Sequence, residues 1–370
     1  MKKSLIALAA LVTTGAFAQS SVTLSGLLDG GVVYSSNAAP GTSKFSLGSA
    51  NNNRIIFSGV EDLGGGLAAT FGAQMRFDLF NGTNERGNAG NIAAGNVNDA
   101  NGTLVTATGL NVGRPLFQGE SRVGLRGGFG AIRIGRGLTA LQAPNGGVID
   151  PWGVSTVAGS VYAPGYASDY SQGGEGRTDG IFYDTPNFSG LSGSLTYSPR
   201  KGKANGKQFY STAINYANGP IVAVLGFEAN RYGDTLLNIG GNYNFGAAKL
   251  FLGYGSVKGG SVADRAGVAF LATAGNAPGQ PYVAAGATNT ALSIGVTAPL
   301  GAATILAGFS TYKSNVAGTK SDNKLGLGVN YALSKRTSVY SDLGSSSRKN
   351  FPTGSDGRVN QIDLGVTHKF

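Results

Sequence analysis

Residues 191–198 read LSGSLTYS. Leu191, Leu195 and Tyr197 share one parity with Gly193, while Ser192, Ser194, Thr196 and Ser198 fill the other. Successive side chains of a β-strand point to opposite faces, so this stretch is a strand with one apolar side and one small, polar side. The contrast recurs along the chain. Leu325, Leu327, Val329 and Tyr331 alternate with Gly326, Gly328 and Asn330, and Ile132 and Ile134 flank Arg133. The chain closes on DLGVTHKF, residues 363–370, where Leu364, Val366 and Phe370 oppose Asp363, Thr367 and Lys369. Chain ends fray unless their backbone is tied down, so a bulky aromatic at the last position calls for a neighbouring strand.

Seven compact connections join such segments: EDLGGG (61–66), GGFG (127–130), PNFSG (186–190), NGP (218–220), NFGA (244–247), PLGA (299–302) and LSKR (333–336). All but the last carry Gly, Asn or Pro where a tight turn needs them. Seven turns join fourteen strands. The first segment, VTLSGLLDGGVVY from Val22, and the last, RVNQIDLGVTHKF from Arg358, bring the number to sixteen. Longer polar connections alternate with the turns, at 35–52, 81–118, 138–176, 259–288 and 345–357, with shorter ones near 199–206, 231–234 and 315–321. In an up-and-down meander this places every short turn at one end and every long loop at the other.

The two faces define the surroundings. A soluble sandwich also alternates, but its apolar face must meet a second sheet across a compact core, and sixteen long strands with small polar residues opposite exceed that design. A closed barrel in lipid turns the apolar side outward and the polar side to a water-filled lumen. Subtracting an 18-residue leader from 370 leaves 352 residues, or 22 for each strand with its connection. That accommodates membrane strands of about 9–11 residues. Pairing of the last strand with the first would remove both sheet edges and place Phe370 at the membrane interface.

The leader is residues 1–18. Lys2 and Lys3 precede an apolar run, Leu5 to Val12, and Ala16-Phe17-Ala18 resembles a small-residue cleavage site, the pattern of a secretory signal peptide; residues 19–370 form the barrel. Losing the two lysines takes the formal charge from +10 to +8. An exported chain without cysteine relies on hydrogen bonding and packing in place of disulfides. The cations are scattered singly among Ser, Gly and Asn, without the blocks that track a phosphate backbone, which argues against nucleic acid. An enzyme is also disfavoured: the single histidine, His368, sits on the outward parity two residues from the end, and no HExxH or paired metal-ligand motif occurs. Neither a metal nor any other cofactor is expected. The Asn-Gly-Thr triplets at 81 and 101 read as loop chemistry.

The leader followed by SSVTLSGLLDGG, then NRIIFSGVEDLGGGLAATF, GGFGAIRIGRG, FYDTPNFSGLSGSLTYS, NYALSKRTSVY and the terminal THKF together resemble the general diffusion porins of Gram-negative outer membranes, particularly the betaproteobacterial branch. The resemblance implies an all-β fold, a 16-stranded antiparallel transmembrane β-barrel, trimeric, with its short turns in the periplasm and a third loop folded into the lumen. It also implies that the terminal aromatic Phe370 is a recognition signal for the barrel insertion machinery. The candidate constriction loop runs through GLTALQAPNGGVIDPWG, with Ile149-Asp150-Pro151-Trp152 expected to reach the wall.

Parity places Arg54, Arg76, Arg122 and Arg133 on the inner face, and Arg177, which ends the loop, is expected to complete a basic wall. Arg136 fits the outer parity, and its facing stays open. Between Arg136 and Arg177 no Lys or Arg occurs, only Asp150, Asp169 and Glu175, so a basic wall facing a mildly acidic loop would create a transverse field at the neck. In the family, inward arginines at the constriction favour anions, and Arg54 stands at a matching position. The expected function is a passive channel for small hydrophilic solutes and inorganic anions in outer-membrane lipid. The alternatives are a channel tuned to organic anions and a barrel that anchors surface-adhesion loops.

Overall fold

The computed structural model describes residues 21–36, 43–82, 97–98, 104–105, 116–153, 156–159, 176–199, 207–230, 233–261, 285–317, 321–347 and 358–370. The leader, Asp169 and Glu175 lie outside them. Sixteen antiparallel strands follow one another around a closed sheet. They are β1 (Ser21–Ser35), β2 in two segments (Phe45–Gly48 and Arg54–Gly64), β3 (Leu67–Arg76), β4 (Glu120–Gly127), β5 (Gly130–Leu138), β6 (Arg177–Asp184), β7 (Leu191–Ser198) and β8 (Phe209–Asn218). Then come β9 (Ile221–Ala229), β10 (Thr235–Asn244), β11 (Lys249–Lys258), β12 (Thr288–Leu300), β13 (Ala303–Ser314), β14 (Asp322–Ala332), β15 (Thr337–Ser346) and β16 (Val359–Lys369). One helix, α1 (Gln142–Ile149), lies in the loop after β5.

All seven expected hairpins form. The EDLGGG turn needs its glycines, because Gly64, Gly65 and Gly66 have φ of 84°, 62° and 80°, a left-handed run that side chains resist. The LSKR turn has no glycine and uses Ser334 instead, whose hydroxyl accepts from the Arg336 and Thr337 amides at 3.1 and 3.0 Å. Two expected loops carry extra structure: Phe45–Gly48 pairs with β1, and Val97–Asn98 pairs with Leu104–Val105.

Closure occurs between β16 and β1, from Leu27 opposite Lys369 to Ser35 opposite Gln361. The Gly26 amide donates to the Phe370 carbonyl at 3.0 Å, and the Phe370 amide donates back to Gly26 at 3.2 Å. The Phe370 ring lies over Gly26 on the outer face, in space that any side chain at Gly26 would fill. This is how the chain end is held, by backbone pairing and by an aromatic seated on a glycine. Apolar side chains point out all round: Val123 is 63% exposed, Ile134 58% and Leu364 62%. Near the short turns Phe129, Phe188, Tyr243, Phe245, Tyr331 and Phe370 are exposed aromatics, the composition of an interfacial girdle. Polar residues such as Thr196, Ser211 and Asn238 are buried on the inner face. No described helix is long and apolar enough to cross a membrane; this chain crosses with strands.

Candidate functional site

The inner face is organised by three groups of residues. The first lies at the seam. Between its two segments β2 breaks over residues 49–53, and Asp29 of β1, fully buried, ties the break down. Its Oδ1 accepts from the Ala50 amide at 2.9 Å and the Tyr340 hydroxyl at 2.8 Å; its Oδ2 accepts from Asn51 Nδ2 at 2.8 Å and the Thr367 hydroxyl at 2.7 Å. The Asp29 amide donates to Asn53 Oδ1 at 2.6 Å, and Ser49 Oγ donates to the Asp29 carbonyl at 2.6 Å. One carboxylate thus joins β1, β2, β15 and β16 from the inside. Four donors compensate the burial of its charge.

The second group is the third loop. Its helix α1 has a sequence poor in helix formers, with Pro144 tolerated in the first turn because that N–H would have no helical partner. The wall supplies what propensity lacks. The Ala140 amide donates to Thr196 Oγ1 at 2.9 Å, the Leu141 amide to Ser211 Oγ at 3.0 Å, and Asn242 Nδ2 to the Val148 carbonyl at 3.0 Å. Leu141 packs over Gly226, Ile149 over Gly240 and Gly253, Pro151 over Gly295, and Trp152 over Gly308, Gly326 and Gly328. Trp152 Nε1 donates to Asp342 Oδ1 at 2.7 Å, the Val157 amide to Asp363 Oδ2 at 3.2 Å, and Lys324 Nζ to the Gly159 carbonyl at 2.5 Å. The loop therefore touches every strand from β7 to β16 and runs along the inner wall as a lining.

The third group is the basic wall on β2–β5. Arg54 lies directly across from Arg76 in the ladder, and the Arg76 side chain is buried. Like charges directly opposite in a ladder repel each other. Arg122 Nε donates to Glu120 Oε1 at 2.8 Å, and its guanidinium stands 4.9 Å from the Phe182 ring centroid and covers Gly137. These contacts hold it along the wall. Arg133 forms an ion pair with Asp184. Two of the four arginines, Arg122 and Arg133, thus stand beside carboxylates, Glu120 and Asp184.

Arg54, Arg76, Arg122 and Arg133 fall on the inner parity that alternation assigns to them. Arg177 does not join them. The register puts it opposite Leu138, on the outward parity of Ile181, and its Nε donates to the Gly119 carbonyl at 2.7 Å, so it ties two strands together near the loop end. Arg136 keeps the outward parity of Ile132 and Ile134, and its Nε donates to the Gln118 carbonyl. Ile149, Pro151 and Trp152 reach the wall. Asp150 corrects the expectation of an acidic loop face: it is 4% exposed, and its Oδ1 accepts from the Trp152 amide at 2.9 Å, closing the turn after α1. It shares a small crevice with Ser310 and Lys324. Its carboxylate thus faces the wall and the turn, not the open channel. Sequence reasoning missed Asp29 and the loop-facing glycines. The first had no visible signal; the second was visible as Leu-Gly and Ile-Gly pairs repeated strand after strand.

A sealed sheet with an apolar outside, a polar lumen and an inward loop defines a membrane channel of the porin class. The chain belongs to the Gram-negative porin family, whose model matches residues 4–350. It is 33% identical over 268 residues to outer membrane porin protein 32 of Delftia acidovorans, covering 68% of each chain. It is 27% identical to an outer membrane porin of Bordetella pertussis over the full length of both. Its fold matches an anion-selective porin from Comamonas acidovorans with a TM-score of 0.73 at 23% identity, covering 95% of this chain and 100% of the other. It is an outer-membrane channel protein.

Proposed function

We propose that this porin prefers anions among the small hydrophilic solutes it passes. The observation that carries the reading is the basic cluster: Arg54 and Arg76 opposed in one ladder, with Arg122 and Arg133 on the next two strands, all on the inner face. Cations on the inner face of a narrow lumen lower the energy of a passing anion and raise that of a cation. The anion selectivity of the Comamonas acidovorans porin, a property of that protein, points the same way. Asp150 is buried against the wall and does not present its carboxylate to the channel, so the reading is argued from the arginines. Replacing Arg54, Arg122 and Arg133 together with Glu lowers anion over cation permeability, read as the zero-current potential under a KCl gradient; an unchanged potential refutes the reading.

The same proposal includes a homotrimer in outer-membrane lipid, export directed by residues 1–18, and recognition of Phe370 by the insertion machinery. Support for the last comes from the exposed ring at the barrel end, 39% accessible over Gly26.

A further inference from the structure

The inward glycines under the third loop form a row. Gly295, Gly308, Gly326 and Gly344 stand directly opposite one another across β12, β13, β14 and β15, and Gly240 stands opposite Gly253 across β10 and β11. Each sits beside an outward apolar residue: Ile294, Phe309, Leu325, Leu343, Ile239 and Leu252. Glycine inside a strand weakens it and often marks close approach of another backbone. Here the approaching chain is visible. Ile149 lies over Gly240 and Gly253, Pro151 over Gly295, Trp152 over Gly308 and Gly326, and the Val157 and Ala158 backbone over Gly344 and Gly326.

We propose that this glycine row sets the bore of the channel, and with it the size of solute that passes, by letting the loop lie flush against the wall. The glycines are positioning residues that act through the loop. A methyl at Gly308 would stand 2.8 Å from Trp152 Cζ3, with the nearest barrel backbone, Ile294 O, at 3.5 Å. One at Gly295 would stand 2.6 Å from Pro151 Cδ, with the nearest barrel backbone, Ala307 O, at 3.3 Å. The hard collision at both sites is with the loop, and carbon atoms settle at about 3.5–4.0 Å, so the loop must retreat into the lumen by about 1 Å. Elsewhere in the row the collision includes the barrel or loop backbone, as at Gly240, where Leu252 O would lie at 2.6 Å. Gly147 supplies the contrast: it lies on α1 with nothing within 4 Å of an added methyl.

The test is single-channel conductance and solute-size exclusion of Gly295→Ala, Gly308→Ala and Gly147→Ala, each first shown to be a folded barrel by its resistance to detergent before boiling. The expected result is conductance lower by about a tenth or more in Gly295→Ala and Gly308→Ala, with the exclusion limit moved to smaller solutes, and no change in Gly147→Ala. The rescue variant is Gly295→Ala with Pro151→Ala, which removes the ring atoms that collide; its conductance returns to that of Pro151→Ala alone. The proposal is overturned by wild-type conductance in both wall variants, by an equal drop in Gly147→Ala, or by a double variant as narrow as Gly295→Ala. Failure of both wall variants to fold would also overturn it, since the glycines would then serve barrel construction.

Discussion

Asp29→Ala is the substitution that tests the seam most severely. The carboxylate has zero exposure and accepts four hydrogen bonds, from the Ala50 amide, Asn51 Nδ2, the Tyr340 hydroxyl and the Thr367 hydroxyl. Removing it takes the acceptor from two buried hydroxyls, Tyr340 and Thr367, and from two part-buried donors, Asn51 Nδ2 and the Ala50 amide, which also donates to the Tyr340 hydroxyl oxygen at 3.3 Å. A water entering the space vacated by the carboxylate can serve two of them, and each donor left unpaired costs about 1–3 kcal/mol, so the loss is about 2–6 kcal/mol. Asp29→Asn keeps one acceptor oxygen for the Ala50 amide and the Tyr340 hydroxyl, and its new NH2 can donate to the Thr367 hydroxyl oxygen, so one donor, Asn51 Nδ2, is left and the loss is about 1–3 kcal/mol. The assay is reversible urea unfolding of the barrel in detergent micelles, followed by tryptophan fluorescence from Trp152 and by circular dichroism. The order expected is wild type, then Asn, then Ala, with unchanged slopes. A loss below about 1 kcal/mol for Asp29→Ala would refute the reasoning, because it would mean that the 49–53 break is held by something other than this carboxylate.

Three further outcomes are expected. Arg54→Glu inverts one charge of the basic wall, and inverting one charge about 8 Å from a passing anion changes its energy by roughly 1 kcal/mol even in bulk water, about fivefold in permeability. The change in zero-current potential should shrink as salt rises, and a shift independent of ionic strength would speak against it. Trp152→Phe removes the outer edge of the indole that lies over Gly308 and the donor to Asp342, the latter a cost of about 1–3 kcal/mol at the loop's anchor; open-channel current noise should increase, and noise equal to wild type would remove Trp152 from the anchoring. Ile294→Arg places a charge on the outer face at the middle of β12, which should destabilise the barrel in lipid by about 2–4 kcal/mol. Equal folding free energies in bilayers would show that this face does not meet hydrocarbon.

The barrel was legible because its signals are local. Alternation at Leu191–Tyr197 or Leu325–Tyr331 needs only the residue two places away, and a tight turn needs only its own four residues. The strand segment Phe45–Gly48 escaped because it is short and sits in a polar connection, where pairing with Val32–Tyr34 decides its state. The site was legible in part for the same reason. Parity found Arg54, Arg76, Arg122 and Arg133, but parity does not say that Glu120 and Asp184 sit beside two of them. Arg177 stands at the loop end, beyond the reach of strand parity, and the register gives it the outward face. Asp150 reads as a lumen charge by its type, yet it is buried against the wall in the turn with Trp152. The loop's seat depends on contacts such as Trp152 with Asp342, 190 residues apart, and no local pattern announces that. Gly308 and Gly326 read in sequence as small inner residues; their use becomes visible only with Trp152 upon them.

The claim on which the rest depends is a water-filled lumen inside a sealed strand cylinder, and planar-bilayer recording of the purified protein tests it most directly. The result predicted is stepwise insertion of ohmic channels whose conductance rises with salt concentration, with a zero-current potential of the sign for anion preference under a KCl gradient. Silence from protein shown to be folded and inserted would contradict the account.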